Sequence, residues 1–214
     1  MKKKLIIALL VIVSLTVIFT ACDKEGEKKS EVLALYELDL TYSKGLLSGR
    51  EEVLYVSNEE GVLNCLKFHL YANAFNEGKE PFSPVEKLEA YYSGESYGKI
   101  EIHSVKLDEK KVDFTLENNG EILTVPTGPL NKGDSATVEL EFTVTLPKCR
   151  GRLGITESTI NLGNFYPVLC VYENGKYVTD GYSKFGDPFY TDVADYYVTL
   201  NVPADMEVAH TGEA

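Results

Sequence analysis

Tryptophan is absent from this 214-residue chain, methionine occurs twice and histidine three times. The scarcity of histidine bears directly on chemistry. His69, His103 and His210 never lie three to five residues apart, so no HxH or HExxH metal-binding pair exists. His69 and His103 fall in strand-like stretches, on the side opposite the apolar residues, which predicts solvent-facing positions for both. The absence of CxxC excludes a zinc ribbon or a thioredoxin-like motif. No serine is read as an activated nucleophile. Asp180, Asp187, Asp192 and Asp195 crowd one region, but the DxDxDG pattern of a calcium loop is missing. Positive charge is also in short supply: 21 Lys and Arg face 33 Asp and Glu, a formal net charge of −12. That balance argues against nucleic acid and against a basic patch for anionic lipid.

What is present begins with a targeting layout. Met1-Lys2-Lys3-Lys4 is a basic start, followed by an apolar run from Leu5 to Ala21 and then Cys22. Phe19-Thr20-Ala21-Cys22 resembles a bacterial lipobox, in which the chain is cut before the cysteine and the thiol takes a diacylglycerol. The alternative is an uncleaved anchor, for which 17 apolar residues are at the short edge. Either way the rest of the chain is expected on the extracytoplasmic side of a bacterial membrane. Residues 1–21 are read as signal peptide and 22–31 as lipidated Cys22 plus a charged, flexible tether. Residues 32–214 then make one domain. Three further cysteines, Cys65, Cys149 and Cys170, lie in a disulfide-permissive compartment. Cys149–Cys170 is the expected pair, with three buried free thiols as the alternative.

Alternation dominates the domain. In TVELEFTVTL, Val138, Leu140, Phe142, Val144 and Leu146 point one way, and Thr and Glu residues the other. The same period marks 36–42, 65–71, 111–117 and 195–202, where it places Tyr196 in the core. Further strands are expected at 51–57, 98–107, 121–126 and 166–173, with turns at Ser48-Gly49, Glu60-Gly61, Asn119-Gly120, Lys132-Gly133-Asp134 and Asn174-Gly175. One helix is signalled: Ser83 as N-cap, Pro84 at the first turn and Glu86 closing a capping box, running to Gly94. Residues 72–76 suggest a helical turn. The fold expected is all-β, an antiparallel sandwich with one short helix. Residues 150–166 read as a long loop, and ten aromatic residues fall between Phe165 and Tyr197. Asn164, Phe165, Tyr166, Phe185, Asp187, Phe189 and Tyr190 are the candidates for an interdomain or ligand surface, because tyrosine and phenylalanine favour interfaces.

The ordered segments YELDLTY, FHLYANAF, NFYP and GDPFYTDVADYYVTLNVP resemble the saddle-like N-terminal β-domain of the aminopeptidase N (peptidase M1) family of zinc metallopeptidases, in its bacterial lipoprotein branch. No tryptophan follows Gly175, where the family often has one. The resemblance implies a non-catalytic domain that packs on a thermolysin-like catalytic domain and helps wall its active site. Some relatives supply a Gln or Glu to that wall, and none occurs between Leu162 and Pro167. The family's HExxH helix and exopeptidase loop would follow a point such as Gly212, so its zinc ligands map onto no residue of this chain. The expected partners are therefore a membrane, through the lipid anchor, and a catalytic domain in cis or in trans. Zinc would belong to that domain, and this chain needs no cofactor. The other expectation is a stand-alone lipoprotein module that binds a glycan, peptide or protein.

Replacing Cys22 is the direct check on the anchor. Cys22→Ala should leave the precursor uncut and remove the lipid mass from the membrane-fraction protein. Normal cleavage and an unchanged mass in that variant would contradict lipidation.

Overall fold

The computed structural model describes residues 33–213. The segments read as signal peptide and tether, with Cys22 between them, lie outside the described residues. Among those described, no helix is long and apolar enough to cross a membrane.

The fold grows from the alternating segments. β1 (Ala34–Ser43) and β2 (Leu46–Val56) form a hairpin closed by Lys44 and Gly45, both at positive φ. A two-residue turn of that hand matches the twist of the strands it joins. The expected turn at Ser48-Gly49 is instead the interior of β2. β3 (Leu63–His69) leads into a 3-10 turn at Tyr71–Phe75, as the sequence suggests, and then to α1 (Pro84–Ala90). The capping box of α1 forms: Glu86 N donates to Ser83 Oγ at 3.4 Å, and Ser83 N donates to Glu86 Oε2 at 3.1 Å. The helix stops at Ala90, short of Gly94, because Tyr91 leaves helical geometry (φ −89°, ψ 66°).

β4 (Lys99–Leu107) and β5 (Lys110–Lys111) follow, then β6 (Thr115–Glu117), β7 (Ile122–Leu130) and β8 (Ser135–Thr145). The single strand expected at 111–117 is broken, since residues 112–114 step between two sheets. The expected loop at 150–166 holds a small hairpin, β9 (Leu153–Ile155) with β10 (Ile160–Leu162). The strand expected at 166–173 divides into β11 (Val168–Leu169) and β12 (Tyr172–Glu173), the latter paired with β13 (Lys176–Tyr177). β14 (Asp195–Asn201) comes last.

Two main sheets result. The larger has the order β14-β1-β2-β8-β4-β5 and the smaller β11-β3-β7-β6. β8 is central to the larger sheet, pairing antiparallel with β2 over its whole length and with β4 over most of it. Its Val138, Leu140, Phe142 and Val144 meet Leu66, Phe68, Leu123 and Val125 of the smaller sheet in one core. The outer face of the larger sheet is charged, with Glu139 accepting from Arg50 at 2.9 Å and from Lys106 at 3.1 Å. One-sided polarity thus holds for this sheet.

Two features depart from the antiparallel, one-sided expectation. β14 is parallel to β1, because the chain crosses from the smaller sheet and enters the larger at its edge. The smaller sheet is also covered along one row of its outer face. Val168, His69 and Ile122 pair in one row on its outer side and are all buried. Their cover is aromatic: Tyr71 stacks on His69 at 4.5 Å, and Phe189 meets Tyr71 edge-on at 5.1 Å. His69 is therefore a buried residue and not the solvent-facing one expected, whereas His103 is exposed and bonds Thr143 Oγ1 at 3.0 Å.

The interior position of Gly49 has a packing cause. A Cβ there would lie 2.5 Å from Phe142 Cζ and 2.9 Å from Leu40 Cδ2. The glycine makes room for the Phe142 ring of the neighbouring strand, which is itself locked in the core. Gly49→Ala should cost about 1–3 kcal/mol of stability by overpacking, read as a lower urea midpoint. An unchanged midpoint would contradict this packing.

Candidate functional site

The seven expected surface residues fall into two groups of contacts. Phe165 is buried and meets Tyr166 edge-on at 5.2 Å. Asn164, just before it, takes a positive φ of 46°, a conformation asparagine tolerates. Tyr166 is half-buried and leans on Tyr36 and Tyr196, with both ring distances 6.0 Å. Tyr196 stacks on Tyr36 at 4.8 Å. The second cluster centres on Phe189, held between Tyr71, Tyr182 at 5.9 Å, and the Arg152 guanidinium 5.6 Å above its ring. Asp187 pairs with that guanidinium at 3.2 Å. Tyr190 N donates to the Tyr71 hydroxyl at 3.1 Å, while its own ring is exposed. Phe185 is exposed beneath Lys184.

The more telling surface is one the sequence pattern hides. Tyr196, Val198 and Leu200 of β14 pair with Tyr36, Leu38 and Leu40 of β1 and so share the core-facing side. The β1 residues are 2%, 4% and 1% exposed, yet Tyr196 is 42% and Val198 57% exposed. The smaller sheet ends opposite β1, and β14 overhangs it. Val193, just before the strand, is also exposed, and Tyr197 is exposed on the opposite face of β14. Tyr196 is therefore only partly in the core, against the expectation from alternation. No single-strand period can report that an opposing layer has run out.

Two strands in from β14, beyond Leu38 of β1, lies Glu51, which composition alone would place on the surface. β2 alternates inward at Leu47, Glu51, Val53 and Tyr55, and the Glu51 side chain is fully buried. Neither of its oxygens meets a hydrogen-bond partner among the described residues. Burial alone holds its carboxyl well above the usual range, so the folded state favours the neutral acid. His69 is the complementary case. Its ring nitrogens form no well-directed hydrogen bond. Burial lowers the ring to about 4, against a smaller opposing effect of the nearby Val178 backbone, so it is a neutral core imidazole.

An open groove of about 610 Å³ lies between α1, the Arg150–Arg152 loop and residues 182–188. Two of the chain's three arginines line it. Gly151 allows the close approach, since a Cβ there would press on the Phe82 ring at 3.3 Å. Arg150 lies over Tyr92 at 5.2 Å and has no ion pair among the described residues. The opposite wall carries Glu86, Glu89 and an 85% exposed Leu88.

The remaining chemistry is quiet. The expected Cys149–Cys170 disulfide is absent, and Cys65, Cys149 and Cys170 are free thiols. The reason is placement: Cys149 lies in the core between the sheets, donating to Leu153 O at 3.3 Å, whereas Cys170 is buried outside that cluster. Burial pushes both thiols up to about 12, which makes them poor nucleophiles. Gly94-Glu95-Ser96-Tyr97-Gly98 does match GxSxG, a spacing the serine reading passed over. It lies between α1 and β4, not on the strand-to-helix turn of a nucleophile elbow. Ser96 Oγ accepts from the Lys148 backbone N–H at 2.8 Å, so its partner is not a base. Among the described residues, no three His, Cys, Asp or Glu side chains converge as metal ligands.

No family model and no curated protein matches the chain. Among solved structures it is similar to an M1 zinc metallopeptidase from Deinococcus radiodurans, at 16% identity and a TM-score of 0.44, over 79% of this chain and 32% of that one. A mutant of that enzyme bound to a Tyr-Ser-Ala substrate matches at 14% identity and a TM-score of 0.43 over the same shares. The chain thus spans about a third of the length of the solved structures it resembles.

Glu51 sets a pH dependence whose sign is fixed. Its pKa is raised on folding, so the unfolded chain gives up the proton first as pH rises. Folding is then penalised from about pH 5 upward by about 1.4 kcal/mol per pH unit while the folded protein keeps the proton. Glu51→Gln removes the ionisation. Urea titrations should show the variant gaining on the wild type as pH rises, with the two closest near pH 4. A constant difference between them would contradict a buried neutral acid.

Proposed function

We propose that this chain is the non-catalytic β-domain of a membrane-anchored, aminopeptidase-like zinc metallopeptidase, and that it packs against a peptidase catalytic domain through β14. One observation carries the reading: on the apolar, core-facing side of β14, Tyr196 and Val198 remain 42% and 57% exposed. Hydrophobic strand residues that point inward and still meet solvent mark a surface shaped for another body. The segment order FHLYANAF, NFYP and GDPFYTDVADYYVTLNVP supports the identity of that body, because in the family it resembles this domain stands beside the thermolysin-like domain. The chain's own role is structural. It supplies no zinc ligand, and its part in walling an active site falls to the β9–β10 hairpin and to Tyr166, which meets Tyr196 of β14. The membrane enters through Cys22, with the tether giving the domain reach.

The Arg150 groove favours a second reading, a stand-alone module that holds a peptide or glycan. A guanidinium laid over Tyr92, without an ion pair among the described residues, and an exposed Leu88 opposite it are features of a binding groove.

Sedimentation of the chain with a separately produced M1-type catalytic domain separates the two. The first reading expects a one-to-one complex that Val198→Lys weakens at least tenfold and that Arg150→Gln leaves unchanged. No complex at high concentration, or one lost only on Arg150→Gln, would overturn it.

A further inference from the structure

A sheet edge invites pairing unless it is short, charged or broken, and three of the four edges of the two main sheets are guarded in those ways. β5 has two residues, Lys110 and Lys111. β6 has three and ends on Glu117, which holds Lys67 at 2.7 Å. β11 has two and follows Pro167. β14 has none of these guards. It is seven residues long, its register with β1 is unbroken, and from Tyr196 to Val202 it carries no charge, proline or glycine. Among the described residues, Asp195–Asn201 form no backbone hydrogen bond beyond the ladder with β1.

The two sides of this edge differ. Tyr196, Val198 and Leu200 share the core-facing side, so a strand laid against β14 gains from apolar residues there. Tyr197, Thr199 and Asn201 share the other side with Asp195 and with Glu37 and Asp39 of β1. These three carboxylates form no ion pair among the described residues, and Arg50, opposite Asp39 on β2, is bound to Glu52 and Glu139 instead. Asp195 would adjoin an added strand directly. Glu37 and Asp39 lie two strand spacings from it, about 10 Å, within reach of an outstretched lysine or arginine. The edge thus fits an extended segment that is apolar on one side and basic on the other.

We infer that β14 is an acceptor edge to which the catalytic partner adds a strand: a segment alternating apolar and basic residues pairs its backbone with the open edge, extends the row Tyr196–Val198–Leu200 and sets its cations against Asp195, Glu37 and Asp39. The identity of the partner rests on the docking role proposed for β14, whereas the chemistry of the edge does not.

Two probes test this on the full-length chain at neutral pH and physiological salt. The first is an acetylated and amidated heptapeptide of alternating valine and lysine, and the second is the separately produced catalytic domain. Amide hydrogen exchange should show each raising the protection of β14 by about tenfold or more, with β5 unchanged. Val198→Lys should weaken peptide binding by about tenfold or more in fluorescence anisotropy, and the same peptide N-methylated along its backbone should not bind. Equal binding of the N-methylated peptide would mean attraction of charge alone, and would overturn strand addition. So would a heptapeptide that leaves β14 unprotected. Protection of β14 that rises with the concentration of the chain alone would mean that a second copy fills the edge, and would overturn it as well. A catalytic domain that binds in a manner sensitive to Val198→Lys, yet leaves the β14 amides unprotected, would overturn strand addition while the docking role stands. Protection by the peptide with no complex from the catalytic domain would overturn the docking role while the edge chemistry stands.

Discussion

Six strands lie against four, and that mismatch in width governs the molecule. β8 is secure because β2 and β4 flank it and the smaller sheet lies beneath it. At β1 the cover is still complete, with Tyr36, Leu38 and Leu40 all buried. One strand further out it is gone. β14 keeps its backbone pairing with β1 but loses the packing that normally accompanies a core-facing apolar side chain. Backbone pairing alone contributes little net stability, and burial supplies most of it. β14 is therefore the weakest member of the sheet on physical grounds, and the one best placed to gain from a partner.

The smaller sheet solves the opposite problem. One row of its outer face is also covered, and the chain supplies that cover from its own aromatics. Tyr71 lies on His69, Phe189 closes on Tyr71, and Arg152 with Asp187 fastens the outside. Several aromatics that look like an interface in the sequence are spent here. What stays free is the β14 overhang and the groove beside α1, on different parts of the surface. Glu51 belongs to neither: it is a polar group in an apolar row, fully buried between Leu38 and Leu140.

Much of the architecture was legible in the residues. The period of two in β1 and β8 and the Ser83–Glu86 capping box are local signals, and each forms as read. The failures share a cause. His69 looks solvent-facing because alternation reports two faces, not what lies over them. Tyr196 looks buried for the same reason in reverse. Gly49 reads as a turn until the Phe142 ring opposite it is known. Glu51 gives no signal, since one glutamate among 33 acidic residues is surface by default. Each depends on a long-range neighbour, and the pairing of β14 with β1 across the whole domain is the longest-range of these.

The most direct measurement places a reporter on the overhang in the working protein. Val198→Cys, expressed in its native cells and treated there with a maleimide, reads whether that face is covered. If β14 docks a catalytic domain, position 198 reacts slowly in cells and quickly in the purified chain, where Cys149 and Cys170 are buried and labelling of the half-buried Cys65 is subtracted with the wild type. Equal and rapid labelling in both settings would mean that nothing covers the strand, and would contradict the account.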